Sequence, residues 1–271
     1  MTATIPALAD LADLTNTVKQ LVSEADRILA DGYGTVSATQ KFDGSLVTQI
    51  DRAADDYFNA QIAARFPDHA ILSEERNTVY DPSVEFTWVI DPLDGTTNFA
   101  RGLPIWGVSV ALLCGGLPII GVLSFAALRE NYSAILSYGA ARNDRPIHTA
   151  ADSKVDDQHF LMQCTRTPKY YRITSPLKSR ILGSAAYHIA AVANGSALAG
   201  IEATPKLWDI AAALLILQEA GGCYRTLGQV APVFPLEGVP RDYERKSFTL
   251  VAAANEGILS EMEASIDPLR S

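Results

Sequence analysis

Residues 86–99 read Phe86-Thr87-Trp88-Val89-Ile90-Asp91-Pro92-Leu93-Asp94-Gly95-Thr96-Thr97-Asn98-Phe99. The first five, aromatic and β-branched, predict a buried strand, so the two aspartates stand where a strand ends. Pro92 bars continued ladder pairing, Gly95 permits a tight turn, and Thr96 or Thr97 can cap a short helix after it. Hard divalent cations such as Mg²⁺ take oxygen ligands and keep several waters, which suits a few carboxylates beside a phosphate. The backbone N–H groups of Gly95, Thr96 and Thr97, at a helix start, would hold that anion. At ordinary residue frequencies, Asp-x-x-Asp-Gly-Thr-Thr arises by chance on the order of once per million starting points. The plainer alternative is a surface turn with two solvated aspartates.

Upstream, Leu8, Leu11, Leu14, Val18, Leu21, Val22, Ala25, Ile28 and Leu29 recur at three and four, the period of an amphipathic helix. Lys41 and the turn Asp43-Gly44-Ser45 follow, then a second helix with Thr48 as N-cap and Asp51 in its first turn. On these residues alone, Lys41 is a loop cation and Asp51 a dipole-matched acid. Ala70-Ile71-Leu72-Ser73-Glu74-Glu75 reads as a short strand ending in paired acids. Neighbours in a strand face opposite sides, so one glutamate can join the Asp91 group.

Downstream, the runs 106–113, 118–125 and 132–138 predict an antiparallel meander, and 160–164 a further strand. The boundary between two halves falls at Ala150 to Lys154. Arg180-Ile181-Leu182-Gly183-Ser184-Ala185-Ala186 reads as strand, tight turn and helix start, with Gly183 and Ser184 able to present N–H groups to a polar ligand. Trp208 to Gly222 is a helix closed by glycines, with Asp209 in its first turn. A last strand, 248–254, and a closing helix, 256–266, complete the chain. His69, His148, His159 and His188 show no mutual metal or nucleophile spacing and read as structural or surface histidines.

The 271 residues, 48% apolar and 20% charged, suffice for one large core. A net charge of -9 argues against a nucleic-acid footprint and for small molecules and cations as partners. Cys114, Cys164 and Cys223 lie far apart, which fits reduced thiols and a cytoplasmic setting. Neither a leader pattern nor a membrane-length apolar run is expected.

The Asp91–Thr97 stretch resembles the first signature of the inositol monophosphatase family of Mg²⁺-dependent, lithium-sensitive phosphatases. Trp208-Asp209-Ile210-Ala211-Ala212 followed by Glu219-Ala220-Gly221-Gly222 is similar to its second signature. The resemblance spans almost the whole chain. It implies an α+β fold, a layered αβαβα sandwich forming one domain of two tightly packed halves, about 1–150 and 151–271, commonly a homodimer. It also implies two or three Mg²⁺ ions, held by Glu74, Asp91, the Leu93 carbonyl, Asp94 and Asp209. Ser73 stands where the family has glycine before its paired glutamates, and the likeness picks Glu74 of the two. By the same likeness Lys41 lies on a mobile loop near the metal, and Asp51 hydrogen-bonds Thr96. Glu74 and Thr96 position the attacking water. Asp94, Gly95, Thr96, Gly183, Ser184, Ala185, Glu202 and Asp209 contact the phosphate ester. The implied substrate is an inositol monophosphate; fructose 1,6-bisphosphate and histidinol phosphate are alternatives on the same scaffold. Two other classes remain as rivals: a metal-free glycosidase built on two of the carboxylates, and a partner-binding role of the kind known for bacterial relatives that associate with transcription machinery.

Overall fold

The computed structural model describes residues 4–35, 39–40, 46–47, 49–151, 154–228 and 233–269, with only the backbone of 39–40 and 46–47. Lys41, Thr48 and the Asp43-Gly44-Ser45 turn lie outside the described residues. The predicted N-terminal helices are α1, Leu8–Ala30, and α2, Gln49–Arg65. They pack together on one face of a seven-stranded sheet. That sheet comprises β1 (Ala70–Ser73), β2 (Phe86–Asp94), β3 (Gly107–Cys114), β4 (Leu117–Phe125), β5 (Glu130–Ile135), β6 (Ala140–Arg142) and β7 (Arg145–Pro146), and its order is β7-β6-β5-β4-β3-β2-β1. β1 and β2 are parallel; every other neighbouring pair is antiparallel, the expected meander among them.

Strand side chains alternate between faces, and β3 is buried along its whole length because both faces are covered. Val108, Val110 and Leu112 join the core under α1 and α2. Ala111 and Leu113 join the core on the other side.

That second face is covered by α5, Ala185–Ala193, and α6, Leu207–Glu219. Both helices are apolar nearly all round, as befits a layer enclosed between two sheets. The second sheet has β8 (Phe160–Gln163), β9 (Lys178–Arg180), β10 (Ala199–Glu202), β11 (Cys223–Thr226) and β12 (Leu250–Ala253) in the order β9-β8-β10-β12-β11. α7, Glu256–Ala264, packs on its outer side. The layers therefore run helix, sheet, helix, sheet, helix. Two short helices, α3 (Thr96–Ala100) and α4 (Thr167–Tyr170), follow β2 and β8.

The structure corrects three local expectations. β2 does not stop at Asp91; it continues to Asp94 with a register shift between the two aspartates, so that Asp91 pairs with Ser109 and Asp94 with Gly107. Pro92, which has no N–H to donate, falls in that bulge. α3 is capped by Gly95 in the left-handed region, φ 86°, rather than by a threonine side chain. A Cβ at Gly95 would meet the Ile105 carbonyl oxygen at 2.9 Å, which adds a steric reason for glycine. Glu74 and Glu75 lie just beyond β1, in a turn where Ser73 N–H donates to the Asn77 carbonyl.

Candidate active site

Four acids from three separate segments face one cavity of about 820 Å³: Glu74 after β1, Asp91 and Asp94 on β2, and Asp209 on α6. Leu93, Gly95, Thr96, Gly183, Ser184, Ala185 and Glu202 line it as well. Glu74 lines the cavity and Glu75 is not part of the lining. Asp51 is buried in the first turn of α2 but does not line the cavity. The Thr96 hydroxyl, expected to bond Asp51, donates to the Leu93 carbonyl at 3.0 Å. The two acceptors compete for one hydrogen, and Leu93 has it.

Each aspartate is aimed by a backbone or hydroxyl donor. Leu93 N–H donates to Asp91 Oδ1 at 2.9 Å, across the bulge. Ser184 Oγ donates to Asp94 Oδ2 at 2.5 Å and Ala186 N–H donates to the same oxygen at 2.9 Å. The Ser184 oxygen also accepts from Tyr187 N–H at 3.1 Å, making Ser184 the N-cap of α5. Lys206 N–H donates to Asp209 Oδ2 at 2.8 Å, the back-bond of a capping acid to its helix start. Asn98 joins the Asp91–Phe99 stretch to the Gly183 turn: its Nδ2 donates to the Ile105 carbonyl at 2.6 Å and the Leu182 carbonyl at 2.7 Å. A Cβ on Gly183, φ 81°, would meet the Asn98 amide at 2.9 Å.

The acids of the site crowd one another. Burial first, then the charges of Glu74, Asp94 and Asp209, push the Asp91 carboxyl well above its ordinary range. Burial, then Asp94 and Glu74, does the same to Asp209. Burial raises Asp94 too, against the lowering effect of the Ser184 and Ala186 bonds. Carboxylates that raise one another's pKa in an oxygen-only donor set fit a hard divalent cation. One oxygen of each aspartate is committed to the bonds above, leaving the other for a ligand. Among the described residues no group of three or more His, Cys, Asp or Glu side chains stands close enough together to hold a metal ion by itself.

Sequence reasoning missed His188. Its Nε2 accepts from Leu182 N–H at 2.9 Å, so the ring proton sits on Nδ1, which lies 2.6 Å from Glu202 Oε1. Burial pulls the imidazole pKa down to about 4, and burial followed by Asp94 pushes Glu202 well above its usual range. The short contact is thus a hydrogen bond from a neutral histidine, not an ion pair. His188 lies in the first turns of α5, buried, with both ring nitrogens engaged, so the structural reading given to the histidines fits it even though it also lines the cavity. Arg166, Thr204, Lys206 and Arg245 also line the cavity, from loops without a recognisable pattern.

An α+β sandwich with an acid cluster beside a glycine turn offers oxygen ligands for a cation next to a turn suited to an anion. A profile of the inositol monophosphatase family matches residues 10–267, and the chain belongs to that family. An inositol-1-monophosphatase of Mesorhizobium japonicum is 34% identical over 77% of this chain and 84% of its own length. A histidinol-phosphatase of Chlorobaculum parvum is 29% identical over 88% and 95%. The solved Thermotoga maritima IMPase superposes with a TM-score of 0.78 at 27% identity, covering 93% of this chain and 98% of that one. The layered α+β sandwich is therefore that of the family, and the named relatives are phosphatases of differing substrate.

Proposed function

We propose that this chain is a Mg²⁺-dependent phosphomonoesterase acting on the phosphate ester of a polyol ring, with myo-inositol 1-phosphate as the type substrate. A sugar phosphate or histidinol phosphate is the second reading, favoured by relatives named as a histidinol-phosphatase and as a fructose-1,6-bisphosphatase/inositol-1-monophosphatase. The observation that carries the proposal is the convergence of Glu74, Asp91, Asp94 and Asp209 on one cavity beside the Gly95–Thr97 turn.

Glu74, Asp91, the Leu93 carbonyl, Asp94 and Asp209 would hold two or three ions. When bound, Mg²⁺ supplies the charge that offsets the phosphate oxygens and eases deprotonation of an attacking water. The phosphate docks on the N–H groups of Gly95, Thr96 and Thr97. Thr96, its hydrogen given to Leu93, keeps lone pairs to accept from the water, and Glu74 takes the proton that leaves it. Attack is in line at phosphorus, without a covalent enzyme intermediate. Asp94, Ala185, Glu202 and Asp209 orient the alcohol, Glu202 being held in place by His188. No described helix is long and apolar enough to cross a membrane. Reduced thiols and the family likeness add a cytoplasmic homodimer to this reading.

The test is phosphate release from a panel of monoesters with Mg²⁺, with chelator, and after Mg²⁺ is restored. Release that stops with chelator and returns with the metal supports the proposal. Hydrolysis undiminished by chelator overturns it.

A further inference from the structure

Glu74 leaves the seven-stranded sheet on a turn that is tied from two sides. On the sheet side, Glu74 N–H donates to the Ile90 carbonyl at 3.2 Å, Ser73 N–H to the Asn77 carbonyl at 2.7 Å, and Asn77 Nδ2 to the Ile71 carbonyl at 2.7 Å. On the helix side Arg76 reaches α2: its Nε donates to Asp55 Oδ2 at 3.2 Å and its Nη2 pairs with Asp56. The acid that lines the cavity thus stands two residues from a side chain anchored in another layer.

The helix side is built at a cost that packing alone would avoid. α2 turns Ala54, Phe58 and Ile62 to the core, and Asp55 is buried on the same helix with 2% of its side chain exposed. Its Oδ2 accepts from Arg76 and, at 3.2 Å, from Asn59 Nδ2, while Oδ1 is buried without a hydrogen-bond partner among the described residues. A buried carboxylate with one bare oxygen is expensive, and removing its cation would leave the charge uncompensated. An apolar residue would hold α2 to the sheet more cheaply, so adhesion does not account for the pair. What the pair fixes is orientation: a planar guanidinium held by both Asp55 and Asp56 sets the height and direction of the turn. It also spends the charge of Arg76 on α2. The charges acting on Asp91 and Asp209 are those of other acids, Glu74 among them, so the cluster keeps its negative charge for a divalent cation.

We propose that Asp55 and Arg76 are positioning residues for Glu74: the pair locks the Glu74–Asn77 turn against α2 and so sets the affinity of the acid cluster for its divalent cation. The inference rests on the metal-dependent reading above and adds to it two residues that do not line the cavity. Their loss is expressed in metal binding and not in recognition of the ester.

The test measures Mg²⁺ binding by calorimetric titration without substrate, together with the melting temperature in chelator, for wild type, Arg76→Gln, Arg76→Lys and the double variant Arg76→Gln/Asp55→Asn. Arg76→Gln should raise the Kd for Mg²⁺ about tenfold or more, the usual effect of losing a group that orients a metal ligand. Arg76→Lys, which keeps the charge, should recover part of that loss. The double variant removes the unpaired buried carboxylate, so its melting temperature in chelator should return toward that of wild type while its Kd for Mg²⁺ stays raised. In turnover of myo-inositol 1-phosphate, Arg76→Gln should need more Mg²⁺ for half-maximal rate, with KM for the ester at saturating Mg²⁺ within about twofold of wild type. The inference is overturned if Arg76→Gln binds Mg²⁺ as wild type does, or if affinity returns with stability in the double variant, since the pair would then act on the fold alone. Failure of the wild type to bind Mg²⁺ at all would instead sink the metal-dependent reading itself.

Discussion

Ser184→Ala removes one oxygen that serves two buried partners, and the size of its effect follows from the contacts. The hydroxyl accepts from Tyr187 N–H as the N-cap of α5, a role worth about 1 kcal/mol. It also donates to Asp94 Oδ2, a bond to a charged group worth about 1.5–3 kcal/mol. Asp94 keeps the Ala186 N–H, so the lower end of that range applies, and the two losses together come to about 2–3 kcal/mol. In a chain of this size the melting temperature should fall by roughly 4–10 °C, measured in chelator so that metal binding does not enter. With Asp94 no longer held from both sides, kcat/KM should fall by about tenfold or more, because a small misplacement at a reacting centre is expensive. Ser184→Thr keeps the hydroxyl and should restore both. If Ser184→Ala melted within about 1 °C of wild type, the two bonds would carry no weight and the account of how Asp94 is aimed would be wrong.

Asp209→Asn keeps an oxygen to accept from Lys206 N–H, so the protein should fold normally by circular dichroism while phosphate release drops to background; near wild-type kcat would remove Asp209 from the metal set. Thr96→Ala should lower kcat more than it raises KM, since the hydroxyl is assigned to the water rather than to the ester; a pure KM effect would argue the reverse. Asp26 gives a pH prediction away from the site. Ser124 Oγ donates to its Oδ2 at 2.6 Å, its Oδ1 is buried without a hydrogen-bond partner, and burial pushes its pKa from 3.8 to about 6. Between those two values the folded state holds the proton more tightly than the unfolded chain does. Stability from this group is therefore fully present below pH 3.8 and is lost as pH rises through about 6, a loss of order 3 kcal/mol. Asp26→Asn should flatten that part of the profile and raise the urea midpoint at pH 8; equal pH slopes in the two proteins would refute the assignment.

What the sequence disclosed and what it hid divide along physical lines. Individual helices were legible because burial on one face writes a period into the chain, as in α1 with Leu11, Val18, Leu21, Val22, Ala25 and Leu29, while the stacking of layers came from the family resemblance. Asp91 and Asp94 stood out as a candidate pair because proline, glycine and two aspartates sit in a short, improbable stretch, whereas Glu74 and Asp209 were singled out only by the family resemblance. Continuation of β2 past Pro92 was not, because a bulge is decided by the partner strand, here Ser109 and Gly107, and not by the local residues. His188 was hidden for a similar reason: its role is set by Glu202 on another element, and nothing near either residue records the pairing. Arg166, Lys206 and Arg245 line the cavity from loop positions, where periodicity is silent.

The bonds that aim the acids also join distant parts of the chain. Asp94 on β2 is held by Ser184 and Ala186, about ninety residues away, and Asn98 holds Leu182 from the same side. The Ser109 hydroxyl reaches the Trp208 carbonyl at the start of α6, 3.0 Å away, next to Asp209. These contacts lie where the seven-stranded sheet meets α5 and α6, so the cavity exists only once that layer has docked. Docking brings four acids together at a cost that rises with each one deprotonated, and the apolar burial of α5 and α6 between two sheets is what offsets it. A cation that binds the folded chain alone then stabilises it by mass action, about 2.7 kcal/mol at a hundred times its dissociation constant. The repulsion among these acids is thus what a bound cation would relieve. Substitutions that relieve the repulsion, such as Asp209→Asn, should raise stability without metal while weakening the response to it.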